Sequence, residues 1–211
     1  MKGILSLLKM KARSGKPRDE HTDSVLFSTA FAGQGVDDSM LVPWEARAVE
    51  VGAKRLPTSR GGKLLQGLWA KDKYMAHLDK DAVERMERFF EFAAVPSNRD
   101  VIRQDEYGNF MVVLLTGTIA VDRVQPWGEQ LRLAETRPGD ILGEMSLLDS
   151  GIRFSACTTL TDCEIAVLSA EAMDDMMGKD PQLAASLIAL LARKLSLRLR
   201  VVSARLSDNQ K

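Results

Sequence analysis

Between Pro138 and Ala156 the chain reads PGDILGEMSLLDSGIRFSA, and two side chains of opposite charge, Glu144 and Arg153, stand among its turn residues. A glycine at 143 lets the main chain approach a ligand closely. A single helical turn starting near Glu144 would aim several N–H groups at one point, and Arg153 would add a bidentate charge. Such a set suits a small anion. A carboxylate beside a phosphate is repelled by it, unless it accepts hydrogen bonds from sugar hydroxyls slightly further off. A phosphate joined to a hydroxylated sugar therefore accounts for both charges together. The competing reading is that Glu144 caps the helix and Arg153 is a solvated surface residue.

Other chemistries find little support. Two histidines (His21, His77) and two cysteines (Cys157, Cys163) are too few for a zinc cage or a disulfide framework. No Ser/His/Asp or Cys/His set is readable as a catalytic triad. Gly61-Gly62-Lys63 hints at a nucleotide P-loop, yet Pro57 stands where its first glycine belongs. We expect no enzyme, no metal and no cofactor beyond the ligand. The cysteines read as small buried hydrophobes.

The 211 residues suit one ordinary domain plus an extension, and 45% hydrophobic residues can bury a real core. Lys+Arg and Asp+Glu both number 29, so only local clustering could attract a polyanion. A cytoplasmic chain with reduced thiols is expected, since no stretch approaches the roughly 20 apolar residues that span a bilayer. Residues 1–18 carry six Lys/Arg and no acid; a solvated basic tail is expected there, a membrane-surface helix being the alternative.

Three kinds of element must position the charged pair. Residues 1–60 lack a sustained period and read as an N-terminal extension, partly ordered at best, with a short element near Leu41–Val51. Residues 61–211 read as the domain proper. Leu64, Leu65, Leu68 and Trp69 recur at helical spacing, and the helical pattern is carried from Tyr74 to Phe92, with Asp79 or Asp81 as a cap. Strand-like runs follow at 101–103, 110–115, 118–123, 130–135, 154–160 and 164–168, separated by turns such as Tyr107-Gly108-Asn109 and Pro138-Gly139-Asp140. Their close spacing predicts a small sandwich, jelly roll or barrel. Helix returns at Ala170–Gly178, and Pro181 opens a long last helix. Leu187, Leu191, Leu195, Leu199, Val202 and Leu206 form one stripe on it, and Leu183, Leu190, Leu197 and Val201 a second. Two apolar faces predict two burial partners, the helix's own domain and a second copy in a homodimer, the alternative being a single domain that wraps the helix.

The segment resembles the phosphate-binding cassette of the cyclic-nucleotide-binding domain family, which includes bacterial catabolite activator proteins and the regulatory subunit of cAMP-dependent protein kinase. Leu142-Gly143-Glu144-Met145-Ser146-Leu147 and Ile152-Arg153-Phe154-Ser155-Ala156 stand in place of the family's F-G-E-x-A-L and P-R-A/S-A-T/S. Val101-Ile102-Arg103-Gln104, Gly108-Asn109, Leu114-Leu115-Thr116-Gly117 and Pro138-Gly139-Asp140 fall in the family's order. The resemblance covers about residues 70–206. It implies an α+β fold, mainly β: a jelly roll flanked by helices, with a long C-terminal helix. It implies that Glu144 holds the ribose 2′-OH, that amides around Gly143, Met145 and Ser146 cradle the cyclic phosphate, and that Arg153 neutralises it. Departures are Ile152 for proline and Phe154 for a small residue. Ser155 lies one residue too far on, which removes support for guanine and favours cAMP over cGMP. The positions meeting the base fall near Lys194 and Arg198, which are not the expected Thr/Ser pair. The implied protein is a cyclic-nucleotide sensor signalling to an effector protein, the alternative being a scaffold that keeps the fold without the ligand. Ending at Lys211 with no helix-turn-helix, the chain is not expected to bind DNA sequence-specifically.

Overall fold

Strand β4, Phe110–Thr116, has six successive buried positions, a pattern that only a strand covered on both faces can satisfy. In the computed structural model, which describes residues 26–76 and 78–208, both faces are covered. Phe110, Val112 and Leu114 point into a core between two sheets, and Met111, Val113 and Leu115 into a second core under the helices. Strand alternation thus divides one apolar run between two compartments.

The chain begins with α1 (Phe27–Gly33), a 3-10 turn (Asp38–Met40), α2 (Trp44–Val51), β1 (Lys54–Arg55), α3 (Thr58–Trp69) and α4 (Lys80–Glu87). Strands β2 (Glu91–Val95), β3 (Asp100–Ile102), β4, β5 (Ile119–Val124), β6 (Gln130–Glu135) and β7 (Ile141–Leu142) follow. Then come α5 (Glu144–Asp149), β8 (Ala156–Thr159), β9 (Cys163–Ser169), α6 (Ala170–Lys179) and α7 (Pro181–Asp208). The strands form a five-stranded sheet, β1-β2-β9-β4-β7, and a four-stranded sheet, β3-β8-β5-β6, all neighbours antiparallel. This is the architecture that the resemblance implies, two antiparallel sheets flanked by helices with a long C-terminal helix. Cys157 and Cys163 are buried free thiols between the sheets.

Two local differences have physical reasons. The helical pattern carried to Phe92 ends at Glu87, and Glu91–Val95 is instead strand β2, paired with β9. Phe90 and Phe92 fit either period, and pairing with β9 decided between them. Gly61-Gly62 lies inside α3 rather than in a turn: a Cβ on Gly61 would sit 2.3 Å from the Phe92 ring, and one on Gly62 2.3 Å from the Glu87 carboxylate. Gly61 lets the helix approach the sheet and Gly62 lets it approach α4, so both glycines serve packing.

Residues 26–60 carry α1, α2, β1 and the start of α3. Their apolar side chains look isolated in the sequence because each packs on a distant element. Phe27 and Leu56 join the helix-side core, and Trp44 and Val51 the inter-sheet core. The start of α1 is closed from across the molecule: Asp174 of α6 accepts from the Leu26, Phe27 and Ser28 amides at 2.8 Å. The basic segment 1–18, His21 and His77 lie outside the described residues.

Candidate functional site

Two short elements aim the charged pair. β7 ends at Leu142, and Gly143 then turns with φ +74°, a left-handed conformation that favours glycine. Helix α5 starts at Glu144 and stops at Ser150, also left-handed at φ +55°. The Gly151 amide donates to Asp149, and the chain runs back through Arg153 to β8.

Arg153 is buried, at 3% exposure, so it is not a solvated surface residue. Its Nη1 donates to the Gly143 carbonyl at 2.7 Å and its Nη2 to the Phe110 carbonyl at 2.6 Å. The Phe110 ring lies beneath the guanidinium, 4.7 Å from its carbon. Glycines bracket it: a Cβ on Gly143 would come within 2.6 Å of Nη1, and one on Gly108 within 2.7 Å of Nη2. The backbone is pinned too, since the Arg153 amide donates to Glu106 O and its carbonyl accepts from Asp105 N. Ile152, where the family has proline, is bridged to Tyr107. Burial brings the Arg153 pKa down to about 10, while the neighbouring Cys157 thiol is pushed up to about 12 by its own burial.

Glu144 is buried as well, and burial raises its pKa, the opposing influence of Arg198 being the largest that holds it down. Arg198 of α7 pairs with Glu144 through Nη1 and donates through Nη2 to Ile141 O at 2.7 Å. Lys194, one turn earlier, contacts Gly139 O and Asp72, each at 3.4 Å, rather than Glu144. The last helix therefore reaches the cassette through charge.

The structure brings Leu142, Gly143, Glu144, Ser146, Arg153 and Arg198 together around one turn. Met145 and Phe154 are about half exposed, and Ser155 is half-buried. Arg123 lies 4.0 Å over the Phe154 ring. Sequence reading missed Phe110 and the function of Gly108. The Tyr107-Gly108-Asn109 turn is visible in the sequence, but what Gly108 makes room for, Arg153, comes from the segment just before β8, forty-odd residues later. Among the described residues no cluster could hold a metal ion.

Glycine freedom, a pinned guanidinium and a buried carboxylate thus meet at one turn, the donor set expected for an anion attached to a hydroxylated body. Comparison with known proteins points the same way. Residues 93–180 match the cyclic nucleotide-binding domain family. The cyclic AMP receptor protein of Thermus thermophilus is 31% identical over 107 residues, which is 51% of this chain and 50% of that protein. The chain spans about half the length of the curated relatives it matches. Among solved structures, the catabolite activator protein of Thermus thermophilus matches with a TM-score of 0.54 and 28% identity, over 63% of each chain. A cyclic nucleotide-binding domain from Methylobacillus flagellatus shares the fold with a TM-score of 0.67 at 22% identity, covering 72% of this chain and 86% of that one.

Proposed function

We propose, from the match of residues 93–180 to the cyclic nucleotide-binding domain family, that this protein is a regulatory sensor of a cyclic mononucleotide, with cAMP preferred to cGMP. The observation that carries the reading is Arg153, held buried against Gly143 within the same turn as buried Glu144. In this reading Arg153 takes the cyclic phosphate, with the amides of Gly143, Met145 and Ser146 around it, and Glu144 takes the ribose hydroxyl. Leu142 walls the turn. Phe154, Ser155 and Lys194 border the ligand, and Arg198 links it to α7.

Ligand would act by differential affinity for two arrangements of α7. Arg198 joins α7 to Glu144, the carboxylate that the sugar would engage, so occupancy changes the hold on the last helix. The helix would pass that change to a homodimer partner and to an effector protein in the cytoplasm. No enzymatic step and no cofactor are required. In this reading residues 61–211 carry the ligand-binding domain, and the described part of the 1–60 segment docks on it, since α3 already begins at Thr58 and Phe27, Trp44, Val51 and Leu56 join its two cores.

Calorimetry with cAMP and cGMP on wild-type and Arg153→Ala protein tests the reading. Two charge-assisted bonds to phosphate predict at least about a hundredfold weaker binding in the variant. Equal affinity in both proteins would remove the assignment. A second reading, a scaffold without ligand, is favoured by one observation. Main-chain carbonyls already satisfy Arg153, and Arg198 already pairs with Glu144. Failure of wild-type protein to bind either nucleotide would select it.

A further inference from the structure

The groups that fix Arg153 are not confined to the cassette, because three links run from it to the N-terminal segment. One passes through rings: Phe110, beneath the guanidinium, packs edge-on against Trp44 at the start of α2, with centroids 5.6 Å apart. One passes through backbone: Ile152 is bridged to Tyr107, Tyr107 to Leu41, and the Val42 amide donates to Tyr107 O at 2.9 Å. The third passes through charge. Arg47 of α2, only 1% exposed, donates to the carboxylates of Glu106 and Glu50, and Glu106 O accepts the Arg153 amide.

Arg47 is an unusual residue to bury. Its Nε has no hydrogen-bond partner, and an unsatisfied buried donor is costly. It also lines one narrow space with a second buried guanidinium, that of Arg153. The space that both arginines line, with Tyr107, Gly108 and Phe110, is too tight to hold water. Like charges separated by protein atoms alone repel more strongly than they would across solvent.

We infer that α2 is coupled to the ligand site: an anion bound at Arg153 offsets the repulsion between the two guanidiniums and tightens the docking of α2, with Arg47 as the positioning residue. The inference rests on Arg153 being the phosphate contact. By linkage, whatever loosens α2 lowers anion affinity by the same factor.

Amide hydrogen exchange and calorimetry on the full chain, with cAMP as the probe, test it. Saturating cAMP should slow exchange across residues 44–51 at least about fivefold, the lower end of the ordinary range of coupled sites. Arg47→Met should lose that slowing and bind cAMP about tenfold more weakly, while Val49→Ala, on the exposed side of α2, should behave as wild type. Glu106→Gln should shift affinity the other way, to tighter binding, because it removes a negative charge near the anion. A merely structural cluster would be weakened by both changes, and weaker binding in both would overturn the coupling. A ligand-free arm separates this from the functional reading. Arg153→Met relieves the repulsion, so exchange at 44–51 should slow without any nucleotide; unchanged or faster exchange ends the inference. Wild-type protein that binds no nucleotide while passing the ligand-free arm would instead remove the cyclic-nucleotide reading and leave the coupling standing.

Discussion

A buried carboxylate and a buried guanidinium at one turn respond to pH in opposite directions. Burial raises the Glu144 pKa above its ordinary value of 4.5, with Arg198 as the main opposing influence. The folded protein therefore keeps this proton to a higher pH than the unfolded chain does. Its contribution is fully present below 4.5 and is lost as pH rises through the folded value. Glu144→Gln carries no titrating group. The melting temperature of wild type relative to this variant should accordingly fall as pH rises through that window. A relative stability that climbs with pH would mean that Arg198, rather than burial, dominates the carboxylate. Arg153 is lowered to about 10, so it stays charged at neutral pH and can still meet an anion. Both residues were legible as a pair because a glycine turn and a lone arginine stand close in the sequence. Arg47 was not, since its partner Glu106 lies 59 positions away.

Helix α3 shows how an element's position can depend on what a residue lacks. Glycine in a helix interior usually costs roughly 0.5–1 kcal/mol relative to alanine. Here Gly61 is buried against Phe92, whereas Gly67, in the same helix, has nothing within 4 Å of a built Cβ. Gly67→Ala should stabilise the fold by about 0.5–1 kcal/mol. Gly61→Ala should destabilise it by about 1–3 kcal/mol, through overpacking against the ring. Urea unfolding of the two variants checks both signs; stabilisation by both would show that the helix has room to withdraw from the sheet. Most strands were readable to within two residues because alternation and turn residues agree. The two-residue strands β1 and β7 carry no period to read and exist only through their neighbours β2 and β4.

Across the whole molecule, α7 divides by length rather than by face. Leu183, Leu187, Leu190 and Leu191 from both predicted stripes are buried in the helix-side core. Leu197, Leu199, Val201, Val202 and Leu206, also from both stripes, are exposed. The first half of the helix anchors to its domain and the second half projects past it, tethered by Arg198. An apolar projection of this kind fits pairing with a second copy. Wild-type protein should sediment as a dimer, and Leu199→Glu with Leu206→Glu should sediment as a monomer of unchanged melting temperature. Leu191 cannot serve as the probe, since it is fully buried in its own domain. A monomeric wild type would leave the projecting half for a different partner. Among the described residues no helix is long and apolar enough to cross a membrane.

What the amino-acid order determined by itself was local: periods, turns, and a charged pair set within a glycine-bearing bend. These are legible because strand alternation, helix spacing and turn chemistry act over a few residues. The tertiary structure decided which groups meet across long separations. It buried Arg153 against Phe110 O, set Arg198 on Glu144, placed Asp174 over the start of α1, and packed Trp44 and Arg47 behind the cassette. Such contacts depend on how two sheets and their helices stack, and no periodicity in the sequence encodes the partner of a single buried charge.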